Sequence, residues 1–126
     1  MHKLPTSLIL RIGLGLVLLW FGVSEIVDPE TWSSYVPMMV QSLLPISVNL
    51  FVTLHGIFEV LLAVLLLVGY AQRIVRVVAV LHLVSITIGV GYNEIGVRDF
   101  GLVMAALALA MSDDISYSLD AYLSRR

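Results

Sequence analysis

The sequence predicts an all-α integral membrane protein: a four-helix antiparallel transmembrane bundle with an interfacial segment between its first and second spans. Three observations carry this. Of 126 residues, 60% are hydrophobic and only 13% charged, with a mean hydropathy of +1.01; a soluble domain carries about a quarter charged residues. Four apolar runs approach the roughly 17–25 residues that a bilayer requires. Most connections between them are short, which makes neighbouring helices antiparallel. The length fits one domain spanning residues 1–126.

The first span is read at about 7–27. Its basic start resembles a signal peptide, but the apolar stretch is too long for one and Arg11 interrupts it. Residues 28–47, DPETWSSYVPMMVQSLLPIS, form the interfacial segment. Asp28 is placed to cap a short helix beginning at Pro29, Trp32 and Tyr35 suit the headgroup level, and Pro37 and Pro45 break the run. The second and third spans are read at about 48–69 and 74–92. The fourth, at about 97–111, is short, and residues 112–126 form a cytoplasmic tail.

Positive charge orients the bundle. Lys3 and Arg11 flank the first span, Arg73 and Arg76 lie between the second and third, and Arg125 and Arg126 end the chain, whereas the remaining loops hold only Arg98. Both termini are therefore assigned to the cytoplasm of a prokaryotic inner membrane. The net charge of −2, with no basic block, argues against a nucleic-acid partner. The lack of cysteine excludes disulfides, thiol relays, iron–sulfur clusters and covalently attached haem.

At about 100° per residue, Arg11, Gly15, Leu18, Gly22 and Glu25 share one stripe of the first helix. Its two glycines permit close approach of a neighbouring backbone. Similar stripes carry Val52, His55, Glu59 and Leu62, then His82, Ser85, Gly89 and Asn93, then Asp99, Val103, Ala106 and Ala110. Glu59 and His82 fall near mid-span, with His55 one turn further out. A charge there costs at least about 2.5–3.5 kcal/mol unless paired or neutralised.

Three readings of Glu59 follow. It fixes helix register while protonated or paired with Arg11 or a histidine; it lines a ligand pocket with His55, His82 and Arg11; or it belongs to a proton or ion path. Two histidines on facing helices raise haem, and His55, Glu59 and His82 have mixed nitrogen and oxygen metal chemistry. The spacing demands neither, and both are disfavoured. An outer mouth is assigned to Glu25, Asn93, Arg98 and Asp99, against the alternative that GYNEIGVRDFG is loop and charged first turn alone. Trp20 and Phe21 are read as packing or lipid-facing. The tail SDDISYSLDAYLSRR, with Ile115, Leu119 and Leu123 four apart, is read as amphipathic, lying along the membrane or binding a partner.

In order and spacing, these motifs resemble the DoxX family of small membrane proteins. The elements are Arg11, Gly22 and Glu25; EVLLAVLLLVGYAQRIVRV with Glu59, Gly69 and Arg73; NEIGVRDFGLVMAALALA with Asn93 and Asp99; and Ser118-Leu119-Asp120. The chain departs from that pattern at Glu25, where the family often has lysine, and at Ala63, where it often has glycine. The resemblance implies a four-helix bundle, and links to quinone-dependent thiosulfate oxidation and to thiol-handling partners.

The resulting expectation is an accessory or quinone-interacting subunit of a membrane redox system. Glu59 would meet the headgroup, His55 and His82 would be second partners, and Arg11 would tune the glutamate. A small-solute or proton transporter and a non-catalytic scaffold are the alternatives. No nucleophile and base constellation is evident, so an autonomous enzyme is disfavoured. Expected partners are the lipid bilayer, other membrane or redox proteins, or a second copy in an oligomer.

Overall fold

The structure, a computed structural model, describes residues 4–126; Lys3 lies outside them. Among the described residues the secondary structure is seven helices: α1 Thr6–Val27, α2 Pro29–Ser33, α3 Met38–Leu43, α4 Val48–Val68, α5 Gln72–Val90, α6 Glu94–Ala110 and α7 Leu119–Leu123. Among the described residues there is no strand. α1, α4 and α5 are long and apolar enough to cross a membrane. α6 begins about three residues before the expected span, because Asn93 caps it by accepting from the Gly96 amide at 2.9 Å. With 17 residues it reaches only about 25 Å, short of a hydrocarbon core of roughly 30 Å.

The long helices form two close pairs, α1 with α4 and α5 with α6, joined by lighter contacts of α4 with α5 and α1 with α6. The stripe on α1 explains the first pair. Arg11, Gly15, Leu18, Gly22 and Glu25 are all buried. Where the two helices cross, Gly22 faces Gly56. A Cβ on either would stand 2.7 Å from the other's carbonyl oxygen, so the two backbones touch only because both side chains are absent. Between the pairs lies an apolar layer that includes Leu14, Leu62, Ala63, Leu66, Ala79 and Leu109. The outward faces carry Ile9, Leu16, Leu61, Leu81 and Ile88, which suit lipid contact.

The segment between α1 and α4 folds back over one end of the bundle. Asp28 caps α2, accepting from the Thr31 amide at 3.3 Å and its hydroxyl at 2.7 Å, with Pro29 at the first helical position. The Trp32 indole donates to the Ser24 hydroxyl at 2.9 Å, pinning α2 to α1. Pro37 opens α3, whose Met38, Met39 and Leu43 are exposed.

At the other end, the tail departs from the sequence expectation. The sequence reading has an amphipathic tail lying along the membrane or binding a partner; residues 112–123 instead dock on the bundle, and α7 spans only five residues. Arg76, 3% exposed, donates to the carbonyls of Leu109 at 3.2 Å, Ser112 at 2.7 Å and Asp114 at 2.8 Å, and also to Gln72 Oε1. Arg11 donates to the Tyr117 carbonyl at 2.6 Å. α5 has no capping side chain of its own. The Asp120 carboxylate takes that role, accepting from the amides of Ala71 at 2.9 Å and Gln72 at 2.7 Å. These bonds also hold Ala71 in its left-handed conformation, φ 49°. Gly69 ends α4 at φ 76°, and its carbonyl accepts from the Asp120 amide at 3.1 Å. Asp114 accepts from the Ser116 hydroxyl and amide and from the Ser7 hydroxyl, which lower its pKa from 3.8 to about 2.

Candidate functional site

Each of the two close helix pairs needs its own inward face, and the faces diverge at the end opposite the tail. A cavity of about 490 Å³ opens there between α1, α4, α5 and α6, closed over by Trp32, Tyr35, Pro37 and Val40 of the folded-back segment. Its walls are largely apolar and aromatic, with Phe21, Phe51, Leu83, Ile86 and Leu102. Trp20, Phe21, Trp32 and Tyr35 form one edge-on and tilted aromatic cluster, with successive ring centroids 5.1–6.5 Å apart. Pro37 packs over Gly89 with room for ordinary contact.

Two carboxylate–imidazole pairs stand on one side of this cavity. His82 Nε2 of α5 lies 2.7 Å from Glu59 Oε1 of α4, and both residues are buried. His55 Nδ1 of α4 lies 2.7 Å from Glu25 Oε2 of α1. The two imidazole rings are neighbours, with centroids 4.9 Å apart, and Phe58 packs against His82 at 5.1 Å. A carboxylate beside an imidazole at this distance is a charge-assisted bond if the proton sits on nitrogen. Either way the pair satisfies groups that would be costly to bury singly. One atom is left over. Glu59 Oε2 is buried and has no hydrogen-bond partner.

The antiparallel register of α1 and α4 explains why Glu25 and His55 meet. Contact at Gly22 and Gly56 brings Glu25, one turn further along α1, close to the Gly56 backbone, and His55, the residue before Gly56, reaches it from there. Sequence reasoning assigned Glu25 to the outer mouth and His55 to the ligand pocket one turn out from mid-span, and it did not single out Gly56. That glycine inside an apolar helix was the available signal.

Of the residues singled out from sequence, His55, Glu59, Glu25, Arg98 and Asp99 line the cavity, and His82 stands behind Glu59. Arg98 lies 3.4 Å from Asp99 and sits 5.8 Å from the centre of the Phe21 ring, a cation over an aromatic face. Two assignments are corrected. Arg11 lies 14 residues before Glu25, about 21 Å along α1, and serves the tail; it is no partner of Glu59. Asn93 is spent on α6, where its amide also donates to the Val90 carbonyl at 3.0 Å, and it does not line the cavity.

The haem idea meets a steric objection: no macrocycle fits between imidazole rings 4.9 Å apart. A single ion is a different matter. His55, Glu59 and His82 each offer a ligand atom, all within 4.8 Å of one another.

The model of a family of membrane proteins, described as methylamine utilisation protein MauE, matches residues 3–101. The chain belongs to the MauE family. That match covers α1 to the first turns of α6, including every residue of both carboxylate–imidazole pairs, and it overturns the DoxX resemblance. The motifs behind that resemblance are glycines, an arginine and acidic residues in apolar helices, and much of what they mark is helix packing and capping. Gly22 serves the crossing of α1 and α4, while Gly69, Asn93 and Asp120 serve helix ends. No curated protein and no solved structure matches the chain. With three apolar helices, this MauE-family chain is a multi-pass membrane protein.

Proposed function

We propose that this MauE-family protein is an accessory component of a membrane redox system serving methylamine utilisation, and that its cavity binds an amphiphilic ligand. The observation that carries this is an apolar, aromatic cavity with His55, Glu59 and Glu25 at its polar wall. Pockets for partly apolar ligands combine such walls with a few placed polar groups. The ligand's apolar body would lie against Phe21, Trp32 and Phe51, and a head bearing a carbonyl, hydroxyl or amine would meet the carboxylate–imidazole pairs. Quinones belong to that chemical class. The link to methylamine utilisation rests on the family description.

In this reading α6 is a fourth, short span, and both termini face the cytoplasm of a prokaryotic inner membrane. Supporting it, Arg11, Arg73, Arg76, Arg125 and Arg126 sit at the tail end of the bundle, against Arg98 alone at the cavity end. Conduction of a solute or proton is the weaker reading. Below the cavity, Leu14, Leu62, Ala63, Leu66, Ala79 and Leu109 pack as an apolar layer, which does not favour passage of a proton or ion.

The test is mass spectrometry of small molecules extracted from protein purified in native-lipid particles. Wild type is expected to carry a compound enriched at least tenfold over bulk lipid, and Glu59→Gln to lose it. Equal content in both, or no enriched compound in wild type, would remove the ligand role.

A further inference from the structure

We infer that His55, Glu59 and His82 form a binding site for a divalent transition-metal ion, with coordination positions left open toward the cavity. Two imidazole nitrogens and one carboxylate oxygen are a donor set that suits zinc, iron(II), cobalt(II) or manganese(II). Their ligand atoms already lie within 4.8 Å of one another, on α4 and α5, two of the longest helices. A metal about 2.0–2.2 Å from each donor holds tetrahedral donors about 3.3–3.6 Å apart, within the range that side-chain rotation here can reach.

Three further features point the same way. Glu59 Oε2 is buried without a partner, an arrangement that costs free energy unless something binds there. Glu25 Oε2 lies 2.7 Å from His55 Nδ1 and orients the ring; with the proton on Nδ1, Nε2 is the nitrogen that can ligate. A carboxylate behind a ligating histidine is the usual support of such a ligand. Charge also balances: Glu25 and Glu59 as carboxylates with both imidazoles neutral carry two negative charges, and one divalent ion offsets them in a low-dielectric setting. Arg98 and Asp99, paired with each other, leave that balance unchanged. With three protein ligands, the remaining positions open on the cavity, through Glu59 and His55 in its wall.

This site shares its residues with the ligand cavity and rests on that reading for access, so one preparation tests both separately. Tag-free protein in lipid particles is stripped with chelator and titrated with cobalt(II). Visible absorption bands saturating at one equivalent, and displaced by zinc(II), are expected. His55→Gln and His82→Gln should each weaken uptake at least 100-fold, and Glu25→Gln, a positioning change, about 10–100-fold with the bands retained. Unchanged thermal unfolding of His55→Gln confirms that it folds; should His82→Gln not fold, His55→Gln and Glu25→Gln decide. No bands in folded wild type, or uptake unaffected by His55→Gln, overturns the metal site. An organic compound retained without cobalt uptake refutes the metal and leaves the cavity reading intact. Cobalt uptake with no enriched compound does the reverse.

Discussion

Replacing His82 with leucine is expected to lower the unfolding free energy by about 3–5 kcal/mol, because it strands the Glu59 carboxylate in the bundle interior. Both oxygens of Glu59 would then lack a protein partner, since Oε2 has none and Oε1 has only His82 Nε2. The double variant His82→Leu with Glu59→Met removes the charge as well as its partner, and should recover most of the loss. Reversible unfolding in mixed micelles measures the wild type, His82→Leu, Glu59→Met and the double variant. The non-additivity separates a true pair from two independent contributions. If the double variant is as unstable as the two single changes summed, the pairing has no energetic content. His55 is the useful contrast. It is partly exposed in the cavity wall, so His55→Leu should cost much less, with Glu25 left nearer to water.

Arg76→Met is expected to release the tail. Arg76 bridges the carbonyls of Leu109, Ser112 and Asp114 where α6 runs on into the tail; the Leu109 carbonyl also accepts from the Ser112 amide at 3.2 Å. Hydrogen bonds to a charged group contribute about 1.5–3 kcal/mol each, not additively, so a local loss of at least about 3 kcal/mol is expected. Hydrogen exchange reads it directly. The amides of Ala71 and Gln72, bonded to Asp120, and those of Asp120 and Ala121 should exchange at least 100-fold faster, a factor of ten corresponding to about 1.4 kcal/mol. Arg76→Lys should not rescue them, because a compact ammonium on a flexible stem cannot span three carbonyls as the planar guanidinium does. Wild-type protection in Arg76→Met would show that Arg11 and Asp120 hold the tail without it.

Helical periodicity made the membrane class and the buried face of α1 legible in the sequence. All five residues on the expected stripe, from Arg11 to Glu25, are buried, since any helix with charges at both ends of an apolar run must turn them toward protein. Glu59 and His82 fell at similar depth on facing helices, and they meet. What the sequence does not display is long-range register. Pairing Glu25 with His55 requires knowing where α1 crosses α4, and Asp120 caps α5 across 48 residues with no local signature. Arg11 misled for the same reason. Its stripe marks it as facing protein, but the group it meets, the Tyr117 carbonyl, belongs to a tail whose docking no periodicity announces. The count of spans is limited at α6, where an early cap and 17 residues leave a helix shorter than a bilayer core.

The central claim is that the cavity beside Glu25, His55, Glu59 and His82 is an occupied site in the membrane. The most direct test is an experimental density map of the protein purified in native lipids without detergent exchange. It should contain density that is not a lipid chain within hydrogen-bond or metal-ligand distance of Glu59 or His55, beneath Trp32 and Pro37. A cavity holding only acyl chains, or one closed by movement of residues 28–47 with the four side chains bonded only to one another, would contradict the account and leave the two pairs as helix fastenings.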